Sequence, residues 1–147
     1  MRRPVLLAGL AAFFAVALSP SPVHAQSTAL ASWDIIARDV GTDALSVEDV
    51  RAIFRGELAL WPTREAVIVV LPSRRAEYAS AFAVDVAGMR REAMQRFWLG
   101  LVFQGRASPP VDVASVGEAI AFVEETPGAI AAVPKGFGPR ELLITVR

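Results

Sequence analysis

The stretch Ala66 to Phe82, AVIVVLPSRRAEYASAF, carries the decision about the fold. Val67, Ile68, Val69, Val70 and Leu71 form an uninterrupted apolar, largely β-branched run of strand length, the pattern of a strand covered on both faces. Pro72 ends the run, and the hydroxyl of Ser73 is placed to cap a helix expected from about Arg74 to Ala87. Arg74 and Arg75 would then sit in the first turn, where the positive end of the helix dipole disfavours cations. Two explanations stand side by side. A bound anion reverses the penalty, because free backbone N–H groups, a hydroxyl and two guanidinium groups converge on it. Alternatively both arginines turn into solvent, at a cost of only a few tenths of a kcal/mol. The candidate anion-binding set is Ser73, Arg74, Arg75 and Tyr78.

Working outward, strands and helices alternate. Upstream, Trp33 to Val40 is a candidate first strand around Ile35 and Ile36, and Gly41 to Asp43 turns the chain. Ser46 opens a helix with Asp49 at the capping-box position and Leu45 placed to staple onto Val50. Val47, Val50, Ile53 and Phe54 share its apolar face, Gly56 closes it, and Leu58 to Glu65 is a loop around Trp61-Pro62. Downstream, Arg90 to Leu101 reads as a helix whose stripe of Met94, Phe97, Trp98 and Leu101 faces the core. Val102 to Pro110 is irregular and extended. Ser115 with Glu118 starts the last helix, with Val116, Ala119, Ile120 and Val123 on its buried side. Ala129 to Val133 is a strand of mostly small residues, Pro134 to Pro139 a glycine-rich loop, and Glu141 to Val146 a terminal strand. The expected class is α/β, a sheet of about four or five strands flanked by helices.

The first 25 residues have the three parts of an export signal. Arg2 and Arg3 supply the positive end, and Pro4 to Leu18 is an apolar run of 15 residues, short of the roughly 17 or more a membrane span needs. Ser19 to Ala25 offers a small-residue cleavage site, with cutting expected between Ala25 and Gln26. The alternative is an uncleaved N-terminal anchor. The expected domain plan is therefore residues 1–25 as signal and residues 26–147 as one α/β domain. A periplasmic or secreted location follows, with no membrane span in the mature chain.

Removing 25 of 147 residues leaves 122, the size of one core, with 13 basic against 15 acidic groups. The slight negative excess argues against a nucleic-acid partner. The chain has no cysteine, and its one histidine, His24, lies inside the expected signal. A His-dependent triad, a thiolate nucleophile and a zinc site of the usual N/S type are thereby excluded from the mature protein. An enzyme would have to rely on Asp39, Asp43, Glu124, Glu125, Glu141 or Lys135, and no spacing assembles an acid/base pair or a metal site. A non-enzymatic protein without cofactor or metal is expected.

Three segments in order resemble a known family: AIFRG at 52–56, FWLGLVFQGRASPP at 97–110 and TPGAIAAV at 126–133. Together they resemble the phosphate-binding periplasmic proteins of the PstS type. More closely, they resemble the short exported single-lobe relatives, the PBP-like domain of phosphate ABC transporter substrate-binding proteins. The similarity runs from about Leu45 to Val133. It implies a single lobe of the type 2 periplasmic-binding-protein-like fold, in which ligand sits between two α/β lobes. It also implies a phosphate site of Ser-Gly-Thr with a nearby arginine at a helix start, which here reads Ser73-Arg74-Arg75. The GAIGY element reads Gly128-Ala129-Ile130-Ala131-Ala132.

Inorganic phosphate or another small anion is the implied ligand, and an ABC permease or other envelope protein the implied partner, with a homodimer as a further option. A chain of one lobe offers an open half-site, which binds weakly unless something closes over it. The alternative is a periplasmic protein–protein interaction module that keeps the lobe and binds no solute. N-terminal sequencing of the exported protein is expected to begin at Gln26; a start at Met1 would select the uncleaved anchor.

Overall fold

Apolar runs that must be buried on both sides need helices above and below them, and the chain builds that sandwich. The computed structural model describes residues 28–147. The expected signal, residues 1–25, lies outside the described residues. In chain order the elements are β1 (Trp33–Ala37), β2 (Ala44–Leu45), α1 (Val47–Phe54), β3 (Ile68–Pro72), α2 (Ala79–Asp85), α3 (Arg91–Phe103), β4 (Val111–Val113), α4 (Val116–Glu125), β5 (Ala129–Pro134) and β6 (Leu143–Val146). A 3₁₀ turn, Arg140–Leu142, precedes β6.

The six strands form one sheet in the order β2-β6-β1-β5-β3-β4. β1 runs antiparallel to both its neighbours, pairing Trp33 to Ala37 with Pro134 to Ile130 of β5 and Ile35 with Ile144 of β6. The other contacts, β2 with β6, β3 with β5 and β3 with β4, are parallel. Five strands therefore share one direction and β1 opposes them. The sheet exceeds the expected four or five strands because β2 and β4 sit at its edges with two and three residues each. Segments that short carry too little alternation to be read from sequence.

Successive side chains of a strand point to opposite faces, and the core divides accordingly. Ile35, Val69, Leu71, Ile130 and Ala132 face the helices α1, α2 and α3, where Phe54, Phe82 and Trp98 fill the layer. Ile36, Val70, Ala131 and Val133 face α4 through Ala119 and Val123. Phe82 is fully buried and meets the edges of Phe54 and Trp33 with centroids 5.2 and 5.9 Å apart.

Helix ends are secured by identifiable partners. Ser46 caps α1 in a full capping box with Asp49, as the spacing predicts. Ser115 accepts from the Glu118 amide, while the Glu118 carboxylate takes the amide of Ala114, one residue before the cap. The guanidinium groups of Arg51 and Arg55 donate to the carbonyls of Asp85 and Ala87, where cations complement the C-terminal end of α2. Trp98 donates its indole N–H to the Phe54 carbonyl at the end of α1. Gly56, at φ +70°, lets that ring approach, since a Cβ there would lie 2.9 Å from Trp98 Cη2.

Expectations for two helices change. The helix expected over 74–87 begins only at Ala79. The Ser73 amide donates to the Val113 carbonyl, continuing the pairing with β4, and the residues after it close turns rather than a helix. Two i→i+3 turns follow, closed by Ala76 onto Ser73 and Ala79 onto Ala76. Along α3, Met94, Trp98 and Leu101 are buried, but Phe97 keeps 38% of its surface exposed, about 100° round the helix from Trp98.

Asp34 is the one buried charged residue among the described core. It pairs with Lys135 at 2.8 Å and accepts the amides of Gly136 and Gly138 at 2.8 and 3.1 Å, fixing the glycine-rich turn between β5 and β6. Burial alone raises its pKa and is the largest single influence. Lys135 and the two amides together outweigh it and hold the group below its ordinary 3.8. A carboxylate with a depressed folded pKa stabilises the fold above its unfolded pKa and loses that contribution as pH falls through the folded one. Asp34→Asn is expected to lower stability in urea at pH 7 by about 1–3 kcal/mol. The gap to the parent should narrow below pH 3.8. A gap that stays constant from pH 7 to pH 2.5 would show that the charge is not the cause.

Candidate functional site

β3 and β4 run parallel and end side by side, so whatever follows them meets at one edge of the sheet. A cavity of about 650 Å³ opens there. Its floor is Leu71 and Pro72 of β3 with Asp112 of β4, and the segment Ser73, Arg74, Arg75 forms one wall. The other wall is α3, which contributes Arg91, Gln95, Trp98 and Val102 at helical spacing.

Local bonding explains how the arginines are presented. Ser73 Oγ accepts the Arg75 amide at 3.3 Å, so the hydroxyl caps its own turn rather than a helix. The Arg74 guanidinium donates to Gln95 Oε1 at 3.1 Å, tying the turn to α3. Both arginine side chains are exposed, and neither forms an ion pair among the described residues. Arg91 touches Glu92 at 3.3 Å, a surface pair worth at most about 1 kcal/mol and easily exchanged for another acceptor. Asp112 and Glu118 also line the cavity, Glu118 with its carboxylate engaged by the Ala114 amide.

Of the four residues singled out from the sequence, Ser73, Arg74 and Arg75 line this cavity. Tyr78 does not. Its ring packs on Trp33 with centroids 6.1 Å apart, and burial, with the Glu118 charge adding to it, raises the phenol pKa. The sequence did not point to Arg91 and Gln95. The signal was present as a second pair of cations, Arg90 and Arg91, at a helix start. What was missing is that α3 crosses beside the β3 turn. Among the described residues, no group of three or more His, Cys, Asp or Glu side chains is placed to hold a metal ion. No helix among them is long and apolar enough to cross a membrane.

Exposed cations without acidic partners add little to folding. Arg74→Ala and Arg75→Ala are each expected to change unfolding free energy by less than about 0.5 kcal/mol in urea titrations. A loss above 2 kcal/mol would assign these side chains to the architecture instead.

No family model matches the chain, and no curated protein does. Solved structures do. A crystal structure of an ABC-type phosphate transport receptor from Vibrio cholerae superimposes with a TM-score of 0.59 at 13% identity, over 78% of this chain and 46% of that one. A putative phosphate ABC transporter substrate-binding protein with bound phosphate from Clostridium perfringens gives a TM-score of 0.60 at 13% identity, over 78% of this chain and 44% of that one. At this identity the likeness shows the fold, and the chain spans less than half the length of either structure.

Proposed function

We propose that this chain is an exported solute-binding module related to phosphate transport receptors, and that it binds a small anion at the edge formed by β3, β4 and α3. The observation that carries the proposal is the convergence of Arg74, Arg75 and Arg91, with Ser73, on one cavity outside the carboxyl ends of two parallel strands. Ligands of open α/β sheets bind in crevices at that end of the strands. Guanidinium groups match phosphate and carboxylate oxygens two at a time, and here they stand ready without ion-pair partners to displace at Arg74 and Arg75. The fold likeness to two phosphate-receptor structures supports the same direction.

Binding here needs no helix dipole. α2 is a short helix that begins after the arginines, so the attraction comes from side chains and is screened by salt. A cavity open to solvent holds its anion in a high local dielectric, which limits affinity to the order of 1 mM, about 4 kcal/mol. In the periplasm, a partner such as a permease would close over the open side.

Calorimetric titration of the mature protein with inorganic phosphate at low ionic strength is expected to give a dissociation constant on the order of 1 mM. Arg74→Ala/Arg75→Ala should weaken it by roughly tenfold or more, given about 1.5–3 kcal/mol for each charge-assisted bond. Absence of heat at ~50 mM phosphate, far above that expected constant, would reject the proposal.

A further inference from the structure

The inference here rests on the anion reading of the same cavity and concerns what the anion is attached to. We infer that the occupant is an organic anion, a carboxylate or phosphate head carrying an apolar body, rather than a bare inorganic ion. Size is the first reason. The cavity measures about 650 Å³, whereas a tetrahedral oxyanion displaces roughly two waters of about 30 Å³ each. A bare ion would leave most of the space wet. Cavities of a few hundred Å³ match organic molecules.

The lining is the second reason. Beyond the arginines the walls are Met94, Trp98, Leu99 and Val102 of α3 with Pro109 and Pro110. Trp98 already gives its indole N–H to the Phe54 carbonyl and keeps 5% of its surface exposed, so only an apolar edge of it reaches the cavity. Leu99 keeps 58% of its area exposed beside it. Water against these groups is held unfavourably, and an apolar body would release it. Charge is the third reason. Three guanidinium groups share the cavity with the carboxylates of Asp112 and Glu118, a net excess near one positive charge, enough for one anionic head and not for a second, so the rest of a larger occupant is uncharged.

Four probes titrated calorimetrically into the mature protein decide the matter: inorganic phosphate, phenyl phosphate, phenylacetate and uncharged benzyl alcohol. Phenyl phosphate or phenylacetate is expected to bind roughly tenfold or more tighter than inorganic phosphate, and the tighter of the two identifies the head group. Leu99→Ala should shrink that ratio, and Arg74→Ala/Arg75→Ala should weaken both aromatic anions, with circular dichroism confirming an unchanged fold. If inorganic phosphate binds and the phenyl compounds bind no tighter, the organic-anion inference is overturned while the anion site stands. If inorganic phosphate is silent and benzyl alcohol binds as tightly as phenylacetate and phenyl phosphate, or all four probes are silent, the anion site itself is refuted and this inference with it.

Discussion

Everything in this molecule leans on β5, a strand that pairs on both edges and is buried on both faces. It bonds antiparallel to all five residues of β1 on one side and parallel to β3 on the other. Ala129 to Val133 expose at most 2% of their surface, so neither a polar side chain nor a missed register could be accommodated. A slip of one residue would exchange Ile130 and Ala132, which face three helices, with Ala129, Ala131 and Val133, which face one. The small residues serve a purpose, since alanines at the centre let helix layers approach the sheet closely. Gly128, at φ +82°, feeds the strand in, with its carbonyl taken by the Trp61 indole and the Ile68 amide.

Once β5 is fixed, the position of the cavity follows. β3 lies beside β5, β4 beside β3, and all three run the same way. Their carboxyl ends open together at one edge, where no further strand lies beyond β4 in the sheet. The chain leaving β3 closes two i→i+3 turns before α2 begins at Ala79, while the Ser73 amide still bonds to β4. Arg74 and Arg75 are therefore carried on a turn at the mouth rather than wound into a helix. α3, anchored by Trp98 to the end of α1, supplies the opposite side of the same opening. The candidate side chains thus stand on a short turn held at both ends by the scaffold.

Much of this was legible residue by residue. The capping box of Ser46 and Asp49, the β-branched run at Ile68 to Leu71, the small-residue strand at Ala129 and the cap at Ser115 are local statements, decided by neighbours within about four positions. Arg74 and Arg75, with the Ser73 hydroxyl beside them, were also legible as a candidate group, although the helix start that singled them out lies five residues further on, at Ala79. Tyr78 was not separable from them, because its turn away toward Trp33 depends on a ring 45 residues earlier.

By itself, the sequence determined the α/β class, the identity of the strands that fill the centre and the presence of two adjacent arginines after β3. Periodicity, capping and charge are short-range properties of the chain. Only the tertiary structure decided that the Ser73 amide bonds to β4, that Arg91 and Gln95 face the same cavity, and that much of the remaining wall is apolar. Those outcomes depend on a hydrogen bond between residues 40 apart and on where one helix crosses one turn. No local pattern encodes such distances, because they are set by packing of the whole sheet.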